Sequence, residues 1–125
     1  MVLWTIKCLI LFSLFLSPGK DTVSRCEYSV LMKIGQREVT GICILETDED
    51  GNIAGTMINE FGIKAFDFTC SGGKTRILNV MEPLDKWYIR RRLRKDFDRI
   101  LLVLDNSGAY YTRSFTSYVF TPLGN

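Results

Sequence analysis

The stretch EPLDKWYIRRRLRKDFDRILLVL, residues 82–104, decides the fold because its apolar residues repeat with the period of a helix. A stripe at this period predicts an amphipathic helix with one buried face. About 20 residues at a rise of 1.5 Å each make such a helix roughly 30 Å long. The residues of the stripe recur at spacings of four, four, three and four: Ile89, Leu93, Phe97, Ile100 and Leu104.

The ends of this helix are marked by residues that start and stop helices. Pro83 or Leu84 is expected to open it, and Asp85 is favourable in the first turn, where the helix dipole attracts negative charge. The segment Asp105–Gly108 (DNSG) is expected to stop it.

Upstream of the helix the apolar residues repeat with a period of two. Tyr28, Val30 and Met32 alternate with mostly polar neighbours, which is the pattern of a strand with one buried face. Asp50-Gly51 is a strong hairpin signal between two such segments. Short strands joined by tight turns predict an antiparallel meander. The five predicted strands are Cys26–Ile34, Val39–Glu46, Ile53–Asn59, Ile63–Cys70 and Thr75–Met81.

After the helix, Ala109–Phe120 (AYYTRSFTSYVF) is rich in aromatic and β-branched residues and predicts a last strand or hairpin arm. A sheet of this size needs the helix to cover one face, so the class is α+β. Gly41, Gly55 and Gly62, in or beside strands, fit a strongly curved sheet. We therefore expect a half-barrel meander under one long amphipathic helix, enclosing either an apolar cavity or a filled core.

The beginning of the chain has the pattern of a secretory signal peptide. Lys7 supplies the positive charge, Cys8–Leu16 is an almost wholly apolar run, and Ser17 and Gly19 fit the cleavage site. A membrane-spanning helix needs about 20 apolar residues, more than this run offers. The sequence predicts export to the periplasm or the outer membrane, with a signal peptide at 1–19 and a single α+β domain at 20–125.

Three cysteines, Cys26, Cys43 and Cys70, remain after removal of such a leader, and an odd number leaves at least one thiol unpaired. Lipid attachment at Cys26 is an alternative to simple cleavage, although Arg25 before it makes a poor attachment signal. Cys43 and Cys70 are expected to be small buried residues on strands. Whether two of the three form a disulfide stays open, and their spacings, without histidine, argue against a zinc site.

The feature of the composition that bears most on catalysis is the absence of histidine. The chain has 125 residues, 46% hydrophobic and 24% charged, a formal net charge of +2 and no histidine. This excludes nucleophile activation by histidine and removes the usual general base and metal ligand. Asp67 and Glu60 are candidates for a carboxylate pair, but nothing in their spacing distinguishes them from exposed strand residues. We predict a protein that is not an enzyme and uses no cofactor or metal.

Charge is distributed unevenly along the chain. Residues 84–104 carry seven basic and three acidic side chains, a net charge of +4, whereas residues 20–82 carry seven basic and ten acidic ones, a net charge of −3. A basic helix in an exported protein favours contact with anionic lipid headgroups or an acidic partner over nucleic acid. A solvated helix face is the simpler alternative. The residues expected at such a contact are Arg90, Arg91, Arg92, Arg94 and Lys95.

The order of leader, meander and covering helix resembles the lipoprotein-carrier (LolA/LolB-like) superfamily of the bacterial periplasm. The resemblance is carried by residues 55–97 (GTMINEFGIKAFDFTCSGGKTRILNVMEPLDKWYIRRRLRKDF), roughly a third of the chain. It implies an unclosed β-barrel with a helical lid that binds acyl chains in an apolar cavity. Members of that superfamily are longer and have several helices, so a cavity in this chain would be small or absent.

Together these features predict an exported, non-enzymatic protein of the bacterial cell envelope that binds a lipid or an acylated protein, with an acyl chain between sheet and helix. An anionic membrane surface is a further expected partner. The alternative is a structural or protein-interaction module with a solid core and no ligand cavity. Trp87 and Tyr88 are expected to pack the helix onto the sheet or to line a cavity mouth. The predicted apolar lining consists of Phe66, Phe68, Tyr88, Ile89 and Leu93.

Overall fold

Residues 22–123, the part of the chain that the computed structural model describes, form seven strands and one α-helix. The sheet is antiparallel and curled into a half-barrel, so the predicted α+β class and curved architecture are confirmed. The predicted signal peptide at 1–19 lies outside the described residues. The elements are β1 (Thr22–Ile34), β2 (Arg37–Asp48), β3 (Ile53–Asn59), β4 (Lys64–Ser71), β5 (Lys74–Leu78), α1 (Trp87–Val103), β6 (Ala109–Arg113) and β7 (Thr116–Pro122).

The strands lie in the order β5-β4-β3-β2-β1-β7-β6. The first five form the predicted meander. The chain then crosses through α1 to the other edge, where β6 and β7 form a hairpin and β7 pairs with β1. The predicted last strand, Ala109–Phe120, is therefore two strands. Ser114 turns the chain between them with a φ of 51°.

Two local features of the sequence shape the meander. In the turn between β2 and β3, Gly51 has a φ of 84°, and Asp48 Oδ1 accepts hydrogen bonds from the backbone N–H groups of Asp50 and Asn52, both at 2.9 Å. On β3, a Cβ at Gly55 would lie 2.2 Å from the ring of Phe68. Glycine at this position leaves room for the Phe68 ring, which approaches the backbone of the neighbouring strand and is buried in the core.

The helix begins at Trp87, so the prediction that Pro83 or Leu84 opens it is wrong. Pro83 instead lies in a short 3-10 turn, Glu82–Leu84. The side chain of Leu84 is buried in the core and anchors this turn. The chain must then turn again, with Lys86 extended at φ −121° and ψ 141°, before the helix can lie over the sheet.

α1 closes the open side of the half-barrel by contacting both of its edge strands, β5 and β6. Asp98 Oδ1 accepts a hydrogen bond from the backbone N–H of Thr75 on β5 at 2.8 Å. On the other edge, Arg92 Nη2 donates to the carbonyl of Arg113 on β6 at 3.1 Å. Edge strands expose unpaired backbone groups, and here side chains of the helix satisfy one such group on each edge.

Candidate functional site

Four of the five predicted lining residues lie in the core between sheet and helix. Phe66, Phe68 and Leu93 are 0% exposed and Ile89 is 7% exposed, and all four belong to one cluster. Tyr88 is 52% exposed and lies outside that cluster. Contact of these residues with a ligand stays a prediction.

Aromatic rings fill the middle of the half-barrel around Phe97 of α1. Its ring centroid lies 4.9 Å from Phe68, 5.6 Å from Phe66, 5.9 Å from Tyr118 and 6.2 Å from Phe120. Centroid distances of about 4.5–7 Å are those of packed aromatic pairs. An acyl chain could enter the middle of the interior only by displacing these rings.

A buried carboxylate lies beside the aromatic cluster. Asp96 is 0% exposed and accepts hydrogen bonds from the hydroxyl groups of Tyr118 at 2.7 Å and Thr116 at 2.8 Å, with Arg92 Nε at 3.7 Å. Burial raises the pKa of Tyr118, and the hydrogen bond and charge of Asp96 raise it further. Sequence reasoning missed Asp96, although its spacing of three residues from Leu93 places it on the apolar stripe.

Open space adjoins the core at the C-terminal end of α1. A cleft of about 200 Å³ there shares Cys26, Tyr28 and Asn106 with a neighbouring cleft of about 350 Å³. The Tyr28 hydroxyl donates to the carbonyl of Asp105 at 3.2 Å, and burial, with a smaller effect of Cys26, raises the pKa of Tyr28 to about 12. Apolar side chains on the walls of the smaller cleft are Leu45, Ile53, Leu101 and Leu104.

The smaller of these clefts lies below the roughly 300 Å³ at which ligand pockets begin. Its neighbour is larger but is bordered by the polar side chains of Arg25, Glu27 and Asn106. None of the five predicted lining residues borders either cleft. A third cleft, of about 390 Å³, lies beside the 3-10 turn and is bordered by Val39, Phe61, Met81 and Leu84. These clefts lie around the margins of the half-barrel, and none of the predicted lining residues borders the third one either.

The two candidate carboxylates, Asp67 and Glu60, have separate surroundings. Asp67 is 0% exposed and accepts hydrogen bonds from Lys64 Nζ at 3.0 Å, from Asn79 Nδ2 at 2.8 Å and from the hydroxyl of Thr56. Glu60 is exposed at the end of β3. Asp67 is therefore not an exposed strand residue, and its burial is compensated by three donors.

The three cysteines of the described chain are free thiols. Cys43 is fully buried, as expected, and burial raises the pKa of its thiol. Cys26 and Cys70 are partly buried. Across residues 22–123, no group of three or more carboxylate, thiol or imidazole side chains is placed to hold a metal ion.

Two of the predicted contact residues on α1 have partners of their own. Arg90 forms an ion pair with Asp85 at 2.8 Å at the surface. The Arg92 side chain is 15% exposed, lies close to the buried Asp96, and holds its guanidinium carbon 5.1 Å from the centroid of the Phe115 ring. Arg92 therefore fixes the helix to the β6–β7 hairpin and is not free to meet a headgroup.

The other three predicted contact residues, Arg91, Arg94 and Lys95, are exposed and form no ion pair or hydrogen bond with any residue in 22–123. Exposed Arg99, which sequence reasoning missed, extends them by one further turn. We call the exposed side of the helix the outer face of α1. It consists of Trp87, Tyr88, Arg91, Arg94, Lys95, Arg99 and Leu102.

Apolar side chains lie at both ends of this outer face. Trp87 is 68% exposed and Leu102 is 77% exposed. The prediction that Trp87 and Tyr88 pack the helix onto the sheet is therefore wrong. Spacings of four residues put Trp87 on the same side of the helix as Arg91 and Lys95, away from the sheet. The rings of Trp87 and Tyr88 pack on each other instead, with centroids 5.7 Å apart.

The helix in the described part of the chain is too short and too polar to cross a membrane. The likeness to the lipoprotein-carrier superfamily stays a prediction from the sequence. Comparison of this chain with protein-family models, with curated proteins and with solved structures gave no match.

Proposed function

We propose that this protein binds the anionic surface of a lipid membrane through the outer face of α1 and does not catalyse a reaction. One observation carries the proposal: Arg91, Arg94 and Lys95 are exposed, have no ion-pair partner within residues 22–123, and lie between exposed Trp87 and Leu102. The other face of the helix is fixed to the sheet, so these side chains are held on a rigid support.

The charge of the outer face supports binding to anionic lipid. Each basic residue close to an anionic membrane contributes about 1 kcal/mol, so Arg91, Arg94, Lys95 and Arg99 contribute about 4 kcal/mol together. Arg90 and Arg92 add less because each already has a carboxylate partner. Binding that depends mainly on charge is expected to weaken as salt is added.

The apolar side chains of the same face support a membrane over other anionic partners. Trp and Tyr side chains favour the boundary between headgroups and acyl chains, where their rings are buried and their polar atoms stay hydrated. Trp87 and Leu102 are fifteen positions apart, about 22 Å along a helix. A helix lying parallel to the membrane would bring both side chains to the bilayer boundary with the basic residues between them.

This proposal keeps the expected lipid partner but changes the part of the protein that binds it. Headgroups would contact the outside of α1, whereas the middle of the half-barrel is filled by Phe97 and its neighbouring rings. The predicted leader would direct the protein to the cell envelope, where such a surface is available.

A second candidate is a protein-interaction module that uses the same face to bind an acidic protein. The filled aromatic interior favours this candidate over an acyl-chain carrier, because a solid core needs no ligand. The two candidates differ in whether lipid alone is sufficient for binding.

Sedimentation with lipid vesicles distinguishes the membrane-binding candidate from the protein-interaction candidate. We expect the full chain to sediment with vesicles rich in phosphatidylglycerol and to stay in solution with phosphatidylcholine vesicles. The triple variant Arg91→Glu/Arg94→Glu/Lys95→Glu should bind at least about a hundredfold more weakly, since it removes about 3 kcal/mol of attraction. The matched control, Arg37→Glu/Lys74→Glu/Arg76→Glu, changes the net charge equally at exposed positions outside α1.

Equal weakening in the two triple variants would contradict the proposal, because total charge rather than the helix face would then set binding. Failure of the full chain to bind anionic vesicles, combined with capture of an acidic protein through the same residues, would favour the second candidate.

A further inference from the structure

Exposed apolar side chains are gathered at one end of the half-barrel. Residues 22–123 expose nine large hydrophobic side chains, and five of them lie on turns or at the start of the helix at this end. The turns at the opposite end, residues 49–52, 72–73 and 105–108, consist of acidic residues, asparagine, serine and glycine. Turns of a folded protein are normally polar, and a group of exposed apolar residues marks a contact surface. We call the five residues the apolar end: Phe61, Ile63, Trp87, Tyr88 and Phe115.

Contacts between the connecting segments place these side chains at the same end. β2 pairs in antiparallel fashion with both β1 and β3, so the β1–β2 turn and the β3–β4 turn lie at one end of the sheet. The backbone N–H of Gly35 in the first of these turns donates to the carbonyl of Phe115 in the β6–β7 turn at 2.8 Å. The cleft of about 390 Å³ extends from Phe61 to Leu84, three residues before the helix begins at Trp87.

The turn that carries Phe61 is held in place by hydrogen bonds. Asn59 Oδ1 accepts from the backbone N–H groups of Phe61 at 2.9 Å and of Ile63 at 3.0 Å. The carboxylate of Glu60 accepts from the hydroxyl of Thr40 on β2 at 3.1 Å, which holds this negative charge back against the sheet. Phe61 is 78% exposed on this turn. A ring held on a fixed turn loses little conformational entropy when a partner covers it.

The turn that carries Phe115 is held in a similar way. Its carbonyl accepts the hydrogen bond from Gly35, and the guanidinium carbon of Arg92 lies 5.1 Å from the centroid of its ring. The Phe115 side chain is nevertheless 53% exposed. Two apolar turns therefore project from the protein on rigid supports, next to the start of α1.

We infer that the apolar end enters the boundary between headgroups and acyl chains of the membrane that the outer face of α1 binds, an inference that rests on the proposed function. Trp87 and Tyr88 belong to both surfaces, so the apolar end continues the outer face of α1 onto the two turns. Aromatic rings favour this boundary. Arg91, Arg94 and Lys95 lie within the first nine residues of α1, so headgroup contact and insertion of the rings occur together.

Insertion of this end sets the orientation of the protein on the membrane. α1 tilts from a position parallel to the membrane, with Trp87 deeper than Leu102. The turns at the opposite end, with Glu49, Asp50 and Asp105, then face water and lie away from the anionic headgroups. A protein partner would need a surface that matches the shape of both projecting turns, whereas a fluid bilayer accommodates them without a matching shape, which favours lipid.

Quenching by brominated lipid tests this inference in the full chain, which has two tryptophans. The chain Trp4→Phe/Trp87→Phe/Phe61→Trp carries its only tryptophan on the β3–β4 turn. The control, Trp4→Phe/Trp87→Phe/Tyr110→Trp, carries it on β6 at a position that is 68% exposed and lies outside the apolar end. Vesicles of phosphatidylglycerol with bromine on the acyl chains are added until sedimentation shows each chain to be bound. We expect loss of emission at position 61 and unchanged emission at position 110, because bromine quenches only rings that reach the acyl chains.

The outcomes separate this inference from the proposed function. Unquenched emission at position 61 in a chain that sediments with the vesicles would overturn the inference and leave the proposed function standing, since another part of the chain would make the contact. Equal quenching at positions 61 and 110 would also overturn it. A chain that does not sediment with the vesicles would overturn the proposed function and this inference with it.

Vesicle sedimentation of Phe61→Ser/Phe115→Ser is a second test, without a reporter. We expect affinity for phosphatidylglycerol vesicles to fall at least about tenfold, because two aromatic rings are no longer buried in the membrane. The loss should persist at high salt, since burial of apolar surface is not screened. The matched control, Tyr110→Ser/Leu123→Ser, removes two exposed apolar side chains outside the apolar end and should bind as tightly as the parent. Equal affinities of the two double variants would overturn the inference.

Discussion

The two faces of α1 differ in what their side chains do, although both come from one short basic sequence. The inner face buries Ile89, Leu93 and Phe97 against the sheet, and the outer face presents Trp87 and Leu102 with basic residues between them. Neighbouring arginines show the contrast most sharply, because Arg92 is held among side chains of the protein and Arg91 is exposed. Position around the helix, rather than charge in the sequence, decides which basic residues are available to a partner.

The largest effect is expected from Phe97→Ala on the inner face. Phe97 contacts four aromatic rings, and removing a buried Phe side chain costs about 3–5 kcal/mol. Urea unfolding should show this loss, whereas Leu102→Ala, on the outer face, should stay within about 0.5 kcal/mol of the parent. Equal stability of the two variants would contradict the division between the faces.

Asp96→Ala should have the next largest effect. It leaves the buried hydroxyl group of Tyr118 without its acceptor, at a cost of about 1–3 kcal/mol, whereas the hydroxyl of Thr116 can still donate to the carbonyl of Arg113. The control is Asp85→Ala, which breaks the exposed pair with Arg90 and should cost less than about 1 kcal/mol. A loss in Asp96→Ala no larger than that of the control would show that the buried network adds nothing to stability.

Arg92→Ala and Arg91→Ala should separate stability from binding. Arg92→Ala removes the contacts with Asp96, Phe115 and the carbonyl of Arg113, so we expect a stability loss of about 1–2 kcal/mol. Arg91→Ala should leave the free energy of unfolding unchanged and weaken binding to anionic vesicles about fivefold, which corresponds to about 1 kcal/mol. The opposite result would contradict these roles of the two arginines: a loss of stability in Arg91→Ala by urea unfolding, and a loss of vesicle binding without a loss of stability in Arg92→Ala.

The last prediction concerns alkaline pH and Tyr28, a buried residue of the core. Burial raises the pKa of Tyr28 from 10.0 to about 12, so the folded state holds the phenolic proton more tightly than the unfolded state. The resulting stabilisation is complete below pH 10 and is lost as the pH rises through 12. In Tyr28→Phe the free energy of unfolding should therefore fall less steeply between pH 10 and 12 than in the parent. The pH dependence that remains is expected from Tyr118 and Cys43, whose pKa values are also raised by burial.

Urea unfolding below and above pH 10 measures this difference. Arg91→Ala, on the outer face, should follow the parent profile throughout. If the free energy of unfolding of Tyr28→Phe depends on pH as steeply as that of the parent, the Tyr28 hydroxyl contributes nothing to the pH dependence of stability.

Much of the fold follows from local patterns in the sequence. The period of two before residue 82 and the stripe in 82–104 predicted the meander and the helix, because each element buries one face. The hairpin at Asp50-Gly51 also formed as predicted, since the turn needs a residue with positive φ. The pairing of β7 with β1 was not predictable in this way, because it joins segments far apart in the chain and depends on how far the sheet curls.

The candidate site was less predictable because it depends on contacts between elements. Sequence periodicity grouped Arg92 with its basic neighbours, but Arg92 turns inward because a carbonyl of β6 and the ring of Phe115 lie within its reach. Trp87 was expected to pack the helix onto the sheet or to line a cavity mouth. It is exposed because the helix begins at this residue, on the side away from the sheet.

The central claim is that the outer face of α1 meets an anionic membrane, and the fluorescence of Trp87 tests it most directly. The chain has two tryptophans, so Trp4→Phe leaves Trp87 as the reporter. We predict that its emission shifts to shorter wavelength when phosphatidylglycerol vesicles are added and stays unchanged with phosphatidylcholine vesicles. Unchanged emission at vesicle concentrations where sedimentation shows the protein to be bound would contradict the claim, because another surface would then make the contact.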